Sequence, residues 1–353
     1  MHIAVDRLLA LVSDIFAAAG CSPEEARRVA EGLVDANLTG HDSHGVARVR
    51  RYVEWLEAGE VEAGRSISVL SEAGALSVVD GHYGFGATVG RQAVELGIRR
   101  GLELGTSIVA LRHAGHLGRI GQWAELALES GLVSMHFVNV AGSVLVAPFG
   151  GVDRRFSTAP IAFGFPVAGE PPVVLDFATS AVAEGKVLVA ANGGKPVPPG
   201  SLIGPDGQLS TDPATLYGPL EGTTDRDHRN GKGAIRAMGD HKGSGLALMC
   251  ELLGGILVGS GTSGPEKQRF ANGMVSIYLS PSAFGSAEEM GREAQKFVAY
   301  IRSARPATAG QDVLIPGDPE RRTREERSAN GIPLPGGTWD AIRATAERLG
   351  VAA

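Results

Sequence analysis

A chain of 353 residues, 43% of them hydrophobic, has ample apolar material for a buried core and, at roughly 150 residues per domain, divides into about two lobes. With 33 basic and 39 acidic side chains, a net charge of −6 and no dense Lys/Arg block, it lacks the phosphate-neutralising surface that polynucleotide binding requires. Glycine is the outlier at 50 residues of 353, about twice the usual share, and it is dispersed without a fixed repeat, which implies many tight turns and close backbone approaches rather than disorder.

In the first segment Leu8, Leu9, Val12, Ile15 and Phe16 recur at helical spacing and Gly20 closes the run as a C-terminal cap. Asp6 and Asp14 inside that pattern, with no basic leader, read as an amphipathic helix rather than a signal peptide, so a cytoplasmic protein is expected. Cys21 and Cys250 are expected to be reduced, buried thiols. Ser22-Pro23-Glu24-Glu25 is a capping box opening a helix to about Leu38, and Val46 to Ala58 is a third amphipathic helix. From about Ser66 the period changes. SISVL, ALSVVD, TSIVALR and LVSMHFVNV are strand-like, with helices predicted over Gly90 to Gly101 and Gln122 to Ser130. Residues 192 to 233 read as a long, turn-rich excursion. Gly243 to Val258 reads as a buried helix, too short and too charged at Glu251 to span a bilayer; MVSIYLS follows as a strand and Ala287 to Ala304 as a helix. Two short polar-faced helices end the chain and are expected to pack with the N-terminal ones.

Several constellations bear chemistry. In His41-Asp42-Ser43-His44-Gly45-Val46-Ala47-Arg48, His44 and Arg48 stand four apart and can share a helix face. A guanidinium fork suits a carboxylate and a nearby imidazole exchanges a proton near neutral pH, although a capping serine with a surface histidine and an ion-paired arginine fits the same spacing. Arg112 to Gly121, RHAGHLGRIG, follows a strand and precedes a helix, the place where α/β proteins hold ligands; His116 is the candidate there, against a merely solvated loop histidine. Gly81 to Gly90 imitates a Rossmann phosphate loop, but the next strand ends in Arg112 and not in the acidic residue that would take a ribose hydroxyl. Asp176 to Ser180 and Gly239 to Gly243 pair small residues with strand exits and helix starts. His41, Asp42 and His44 lie close in sequence, but the chain has no HExxH or CxxC motif and meets no zinc spacing rule, so no metal is expected.

Taken together, DSHGVARVRRYVEWLEAG, RHAGHLGRIGQWAE, FVNVAGSVLVAPFGGVDRRFSTAPIAFGFPV, VLDFATSAVAEGK, GDHKGSGLALMCELLGG and PGDPERRTREERSANGI resemble, in order and over nearly the whole chain, the malate/L-lactate dehydrogenase family of the second type, most closely its hydroxycarboxylate dehydrogenases. The resemblance implies a mixed α/β fold. A non-Rossmann cofactor lobe with a largely antiparallel sheet would span residues 75–305, and a helical substrate and dimerisation lobe would be built from both termini, 1–74 with 306–353. It implies a cytoplasmic homodimer, with no nucleic-acid or membrane partner, that moves hydride between NAD, or alternatively NADP, and C2 of a small 2-hydroxy or 2-oxo acid. By the same resemblance Arg48 binds the substrate carboxylate, His116 is the acid/base, and Ser43 and His44 line the pocket. Cofactor contacts fall on Gly118, Arg119, Ile120, Gly121, Asp176, Phe177, Ala178, Thr179, Ser180, Lys242, Gly317 and Asp318. The chain departs from the family's usual pattern at His113, Ala159, Asp240 and Ser244, where members commonly carry a small amide, an asparagine, a glycine and a tyrosine, so substrate preference stays open.

Three other readings compete. A cyclic imino-acid reductase of the same family would use Ser43 and His44 for the proton. A metal-dependent hydrolase would use His41, Asp42 and His44, and a non-catalytic carboxylate-binding protein would need only the basic pocket.

Overall fold

A computed structural model describes residues 1–191, 196–220, 227–264 and 269–352, so residues 192–195 and 221–226 of the expected turn-rich excursion lie outside the described residues. The strands are β1 (His2–Ile3), β2 (Ser68–Ala73), β3 (Leu76–Asp80), β4 (Thr106–Ala114), β5 (Val133–Ala141), β6 (Pro160–Phe165), β7 (Val173–Ala178), β8 (Leu202–Ile203), β9 (Leu209–Ser210), β10 (Ala234–Ile235), β11 (Ala271–Leu279) and β12 (Ile332–Pro333). The α-helices are α1 (Val5–Ala18), α2 (Pro23–Leu38), α3 (Val49–Glu57), α4 (Gly86–Leu104), α5 (Gly121–Glu129), α6 (Glu184–Ala191), α7 (Ala214–Tyr217), α8 (His241–Cys250), α9 (Ala287–Arg302), α10 (Asp318–Asn330) and α11 (Gly336–Arg348). Among the described residues, β2-β3-β4-β11-β5-β6-β7 form a seven-stranded sheet in that order, and β10-β8-β9 a three-stranded one. Both orientations occur in the larger sheet: β2 is antiparallel to β3, and β3 is parallel to β4. The fold is mixed α/β.

Two compact units result, one of residues 1–136, 162–176 and 276–353, the other of 137–161 and 177–275. In the first unit α4, β3 and β4 pack with the terminal helices.

In the first unit both chain ends contribute to one core. Leu8, Val12, Ile15 and Phe16 of α1 share a cluster with Leu33 and Val34 of α2 and with Trp339, Ile342 and Ala346 of α11. Each set recurs with helical spacing, so one apolar stripe per helix is buried. β1 and β12 join the two ends through antiparallel pairing of Ile3 with Ile332. The caps form as the sequence dictates: Gly20 adopts φ +105° after α1, and the Ser22 hydroxyl accepts the Glu25 N–H at 3.2 Å. The Glu25 carboxylate, however, does not turn back to close the capping box; it accepts from the Gly64 N–H at 2.7 Å and the Thr88 hydroxyl at 3.1 Å, which ties α2 to α4 and the turn before β2.

Deeper in this unit Gly97 of α4 lies against the Tyr278 ring of β11, where a Cβ would stand 2.1 Å from the ring. Tyr278 in turn packs edge-on to His136, ring centroids 5.7 Å apart. His136 is fully buried between the hydroxyls of Ser276, 2.8 Å away, and Ser134, 3.1 Å away, and burial holds its pKa down to about 3.

The second unit closes its own core around Val146, Val187, Leu202, Leu216 and Ile235. Its long apolar segment is not the buried helix that composition suggests. α8 passes into a π-helical stretch, Glu251–Leu257, and one side stays open: Leu248, Met249, Leu252, Ile256 and Leu257 are all exposed. Cys21 and Cys250 are buried free thiols. His82, Tyr83, His113, Ala159 and Asp240 hold φ between +36° and +58°, a range that non-glycine residues seldom adopt.

Two stability outcomes are expected. Gly97→Ala should cost about 1–3 kcal/mol in urea unfolding, because the methyl group must displace a packed ring; a cost under about 0.5 kcal/mol would show that Tyr278 has room to move. For His136 the unfolded chain binds the proton more readily than the native one, so its contribution is complete above about pH 6.5 and is lost as the pH falls towards 3. The urea midpoint should therefore drop between about pH 7 and pH 5, and His136→Gln should flatten that drop; an unchanged slope would contradict it.

Candidate functional site

The first unit builds a site where the chain leaves α2. Residues 42–48 form two 3₁₀ turns, Asp42–His44 and Val46–Arg48, and the α-helix begins only at Val49, later than the sequence suggests. The cause is Asn37. Its Nδ2 donates to Asp42 Oδ1 at 2.6 Å and its Oδ1 accepts the Val46 N–H at 2.7 Å, so a buried amide closes the turn that backbone bonds would otherwise make. Gly45 passes so near that a Cβ would lie 2.1 Å from Asn37 Oδ1; with φ −89°, glycine is needed there for contact rather than for backbone freedom.

Asp42 is held at 2.6 and 3.1 Å by the Arg327 guanidinium of α10, and His41 Nε2 stands 3.5 Å from Glu320 Oε1. Both side chains face α10. Among the described residues no group of three His, Cys, Asp or Glu side chains is arranged to hold a metal ion. His44 and Arg48 meet through the turns and not along a helix face: Arg48 Nε donates to the Ser43 carbonyl at 2.7 Å, and Ser43 Oγ lies 3.1 Å from His44 Nδ1.

The second arm arrives at the exit of β4. Asp80 at the end of β3 accepts from Arg112 Nε at 2.8 Å and the His82 N–H at 2.9 Å, with His113 Nδ1 at 3.2 Å. Burial alone pushes the Asp80 carboxyl up, but these donors outweigh it and hold the pKa below the usual carboxylate value. The glycine run that imitates a phosphate loop spends its donors here. Gly81 N–H binds the Arg112 carbonyl at 2.9 Å, Tyr83 N–H the His113 carbonyl at 2.6 Å, and Gly84 accepts from Gly115 N–H at 2.8 Å. A Cβ on Gly86 would stand 2.1 Å from the His116 carbonyl. The run is thus a backbone cradle for the His116 loop.

The two arms converge. The His44 and His116 rings stack nearly parallel, 5.6 Å between centroids and 12° between planes. Burial lowers the pKa of both: His44 falls to about 3, helped by the charges of Arg48, His41 and Arg119, and His116 falls well below its ordinary value, helped by Arg48 and His44. Tyr52, one turn into α3, places its hydroxyl 2.6 Å from His116 Nδ1. Its ring is buried, stacked on Trp55 at 5.6 Å and tilted against Phe16 and Phe85. Burial raises the phenol pKa, and the Arg48 charge opposes that rise. Two neutral imidazoles, a phenol and a guanidinium therefore share one space.

The residues expected to contact a cofactor fall in two places. In the first unit Asp176 accepts the Gly121 N–H at 2.8 Å at the start of α5, and burial raises its pKa against the pull of His41 and that N–H. Arg119 is buried and committed to Glu125, at 3.0 Å through one of its contacts, and to Asp35 at 3.1 Å, while Leu117 and Ile120 are buried beside it and Gly118 has φ +72°. Gly317 caps α10 with φ +96°, and the Asp318 carboxylate accepts the Ile315 N–H at 2.7 Å and pairs with Arg302 and Arg321. Arg119 and Asp318 therefore engage their neighbours; Gly118 is half-buried, and Gly121 and Gly317 are buried. In the second unit the strand exit and the start of α8 lie together. Met238 N–H binds the Thr179 carbonyl at 2.8 Å, and a Cβ on Gly243 would come within 2.5 Å of that carbonyl. Thr179 and Ser180 are buried, Phe177 and Ala178 are half-buried, and Lys242 is exposed on the first turn of α8. An ammonium at a helix start beside close-packed small residues suits a phosphate.

Comparison with known proteins identifies the family and several relatives. A family model described as malate/L-lactate dehydrogenase matches residues 3–343. Hydroxycarboxylate dehydrogenase B of Escherichia coli strain K12 is 38% identical over 350 residues, 98% of this chain and 93% of that protein. The solved sulfolactate dehydrogenase of Methanocaldococcus jannaschii superposes with a TM-score of 0.85 at 31% identity, covering 99% of this chain and 98% of that one. Delta1-piperideine-2-carboxylate reductase of Pseudomonas syringae pathovar tomato superposes with a TM-score of 0.82 at 29% identity, covering 98% and 100%.

Sequence reasoning missed Tyr52 and Asn37. Tyr52 carried one signal, a polar-tipped ring in an apolar position a turn beyond Arg48; Asn37 carried only its place at the end of α2. Asn37→Ala should cost about 1–3 kcal/mol in urea unfolding, because the Val46 N–H is left buried without its acceptor. A change within about 0.5 kcal/mol would show that the turn holds without the amide.

Proposed function

The chain belongs to the malate/L-lactate dehydrogenase family and is an oxidoreductase of hydroxy acids, and from that premise we propose that it transfers hydride reversibly between a nicotinamide dinucleotide and C2 of a small 2-hydroxy or 2-oxo carboxylic acid. The observation that carries this reading is the convergence of Arg48, His44 and His116, each half-buried, in one space with a 5.6 Å imidazole stack. Arg48 binds and orients the substrate carboxylate, which lowers the entropic barrier to a reactive geometry. His116 exchanges a proton with the substrate oxygen where negative charge develops, a contribution of roughly 10²- to 10⁴-fold. Ser43 and His44 line the same pocket and hydrogen-bond the substrate.

The dinucleotide, when bound, supplies the hydride donor or acceptor. Lys242 with the start of α8 and the packed Phe177–Ser180 segment suit its phosphates, and the resemblance adds Gly118, Arg119, Ile120 and Gly121, with Asp176 beside Gly121, and Gly317 with Asp318. The lobe division is part of the same proposal: terminal helices for substrate and dimerisation, and a non-Rossmann, largely antiparallel strand-rich lobe for the cofactor. NAD is the cofactor proposed, with NADP as the alternative. No helix of the described residues is long and apolar enough to cross a membrane. The open apolar side of α8 and its π-helical continuation, from Leu248 to Leu257, supports burial against a second copy, a cytoplasmic homodimer.

A second reading has its own support. Ser43 Oγ stands 3.1 Å from His44 Nδ1, the pairing a cyclic imino-acid reductase would use to deliver a proton to nitrogen.

A panel of 2-oxo acids and five- and six-membered imino carboxylates, tested with NADH and NADPH, separates the readings. His116→Ala should lower kcat for oxo-acid reduction by about 10²- to 10⁴-fold, and Arg48→Ala should mainly raise KM. A folded His116→Ala enzyme with wild-type turnover would refute the assignment.

A further inference from the structure

The neutral imidazole at the centre of the site does not itself carry a spare proton. His116 is kept unprotonated by its burial and by the neighbouring charge of Arg48, with His44 as the other titratable group stacked on it. Reduction of a carbonyl nonetheless consumes one proton per hydride. Tyr52 stands 2.6 Å from Nδ1, held by Trp55, Phe16 and Phe85 on its ring, and Arg48 is the charged group beside its oxygen. A phenolic O–H is a strong donor and a bare imidazole nitrogen a stronger acceptor than a phenol oxygen, which favours donation from Tyr52 to Nδ1 with the imidazole's own hydrogen on Nε2.

Resting on the dehydrogenase reading, we propose that Tyr52 is the proton-relay partner of His116, fixing its Nε2–H tautomer and replacing the proton that Nε2 gives to the substrate. As the carbonyl carbon is reduced, the Nε2–H bond breaks and the O–H bond of the hydroxy acid forms. In the same step the Tyr52 O–H bond breaks and an Nδ1–H bond forms. The imidazole stays neutral throughout, having exchanged one tautomer for the other. The negative charge ends on the Tyr52 oxygen, where burial opposes it and the Arg48 charge favours it, and solvent returns the proton afterwards. In oxidation every transfer reverses, and bare Nε2 takes the hydroxyl proton. Tyr52 acts through His116, so it is a positioning residue and its effect is read in proton transfer rather than in substrate binding.

In the intact protein labelled with ¹⁵N-histidine, His116, assigned by the signals lost in His116→Gln, should show a protonated Nε2 and a bare Nδ1 at about pH 8. A protonated Nδ1 there overturns the relay without any variant. Tyr52→Phe keeps the stacked ring and removes only the hydroxyl. Its kcat for 2-oxo acid reduction should fall about 10- to 100-fold at that pH, with KM changed less than about threefold. The wild-type kcat should be level from about pH 6 to 9, whereas that of Tyr52→Phe should rise as the pH falls, because an imidazolium must then supply the proton. Wild-type kcat with a wild-type profile in Tyr52→Phe overturns the relay, as does a wild-type kcat that declines about tenfold per pH unit across that range. No hydride transfer with any oxo acid, with the Nε2–H tautomer present, overturns the dehydrogenase reading and the relay with it, while the hydrogen bond stands.

Discussion

Two imidazole rings and a guanidinium packed into one desolvated space form an arrangement that favours neutral histidines over charged ones, and much of the first unit serves to hold it. Left to itself the chain would separate these groups, because half-burying Arg48 beside His44 and His116 costs solvation that neither imidazole repays while unprotonated. A small anion that neutralised Arg48 would remove much of that penalty. The same environment that disfavours an imidazolium therefore favours a carboxylate, which is why affinity for the substrate class and the protonation state of the pocket are one property.

The supports are spread across elements far apart in sequence. On one side Asn37 and Gly45 interlock to hold the turns that carry Ser43, His44 and Arg48, and Arg327 of α10 clamps Asp42 beneath them. On the other, Asp80 gathers Arg112, His113 and the His82 N–H, and Gly84 and Gly86 bring the start of α4 against the His116 loop. α11 and α1 share the core under this assembly, so both ends of the chain stabilise a site formed near residues 44 and 116.

Much of this was readable because it follows from local rules. Gly20 and the Ser22 cap fall where caps belong, and the strands from Ser66 onward appear where the period changes. The failed fingerprint at Gly81–Gly90 was also legible, since Arg112 stands where an acid was needed, and the structure supplies the reason: the run's N–H groups bind the neighbouring loop. What the sequence concealed depends on long-range partners. The 3₁₀ turns before Val49 look like helix because their apolar positions are helical, and only the Asn37 amide decides otherwise. Glu25 sits correctly for a capping box yet reaches Gly64 and Thr88 across the fold. The exposed side of α8 looks like core because composition cannot tell a face turned inward from one left for another molecule.

Three positions where the chain leaves the usual family pattern share a backbone property: His113, Ala159 and Asp240 hold φ of +51°, +36° and +58°. Asparagine and glycine, the residues expected there by resemblance, bear such angles easily, and an ordinary L-residue does so at a cost of about 1–2 kcal/mol. The chain thus holds these bends with side chains poorly matched to them. The strain at these three corners is absorbed by the surrounding packing, so the path of the main chain there is set by the fold and not by the local residue.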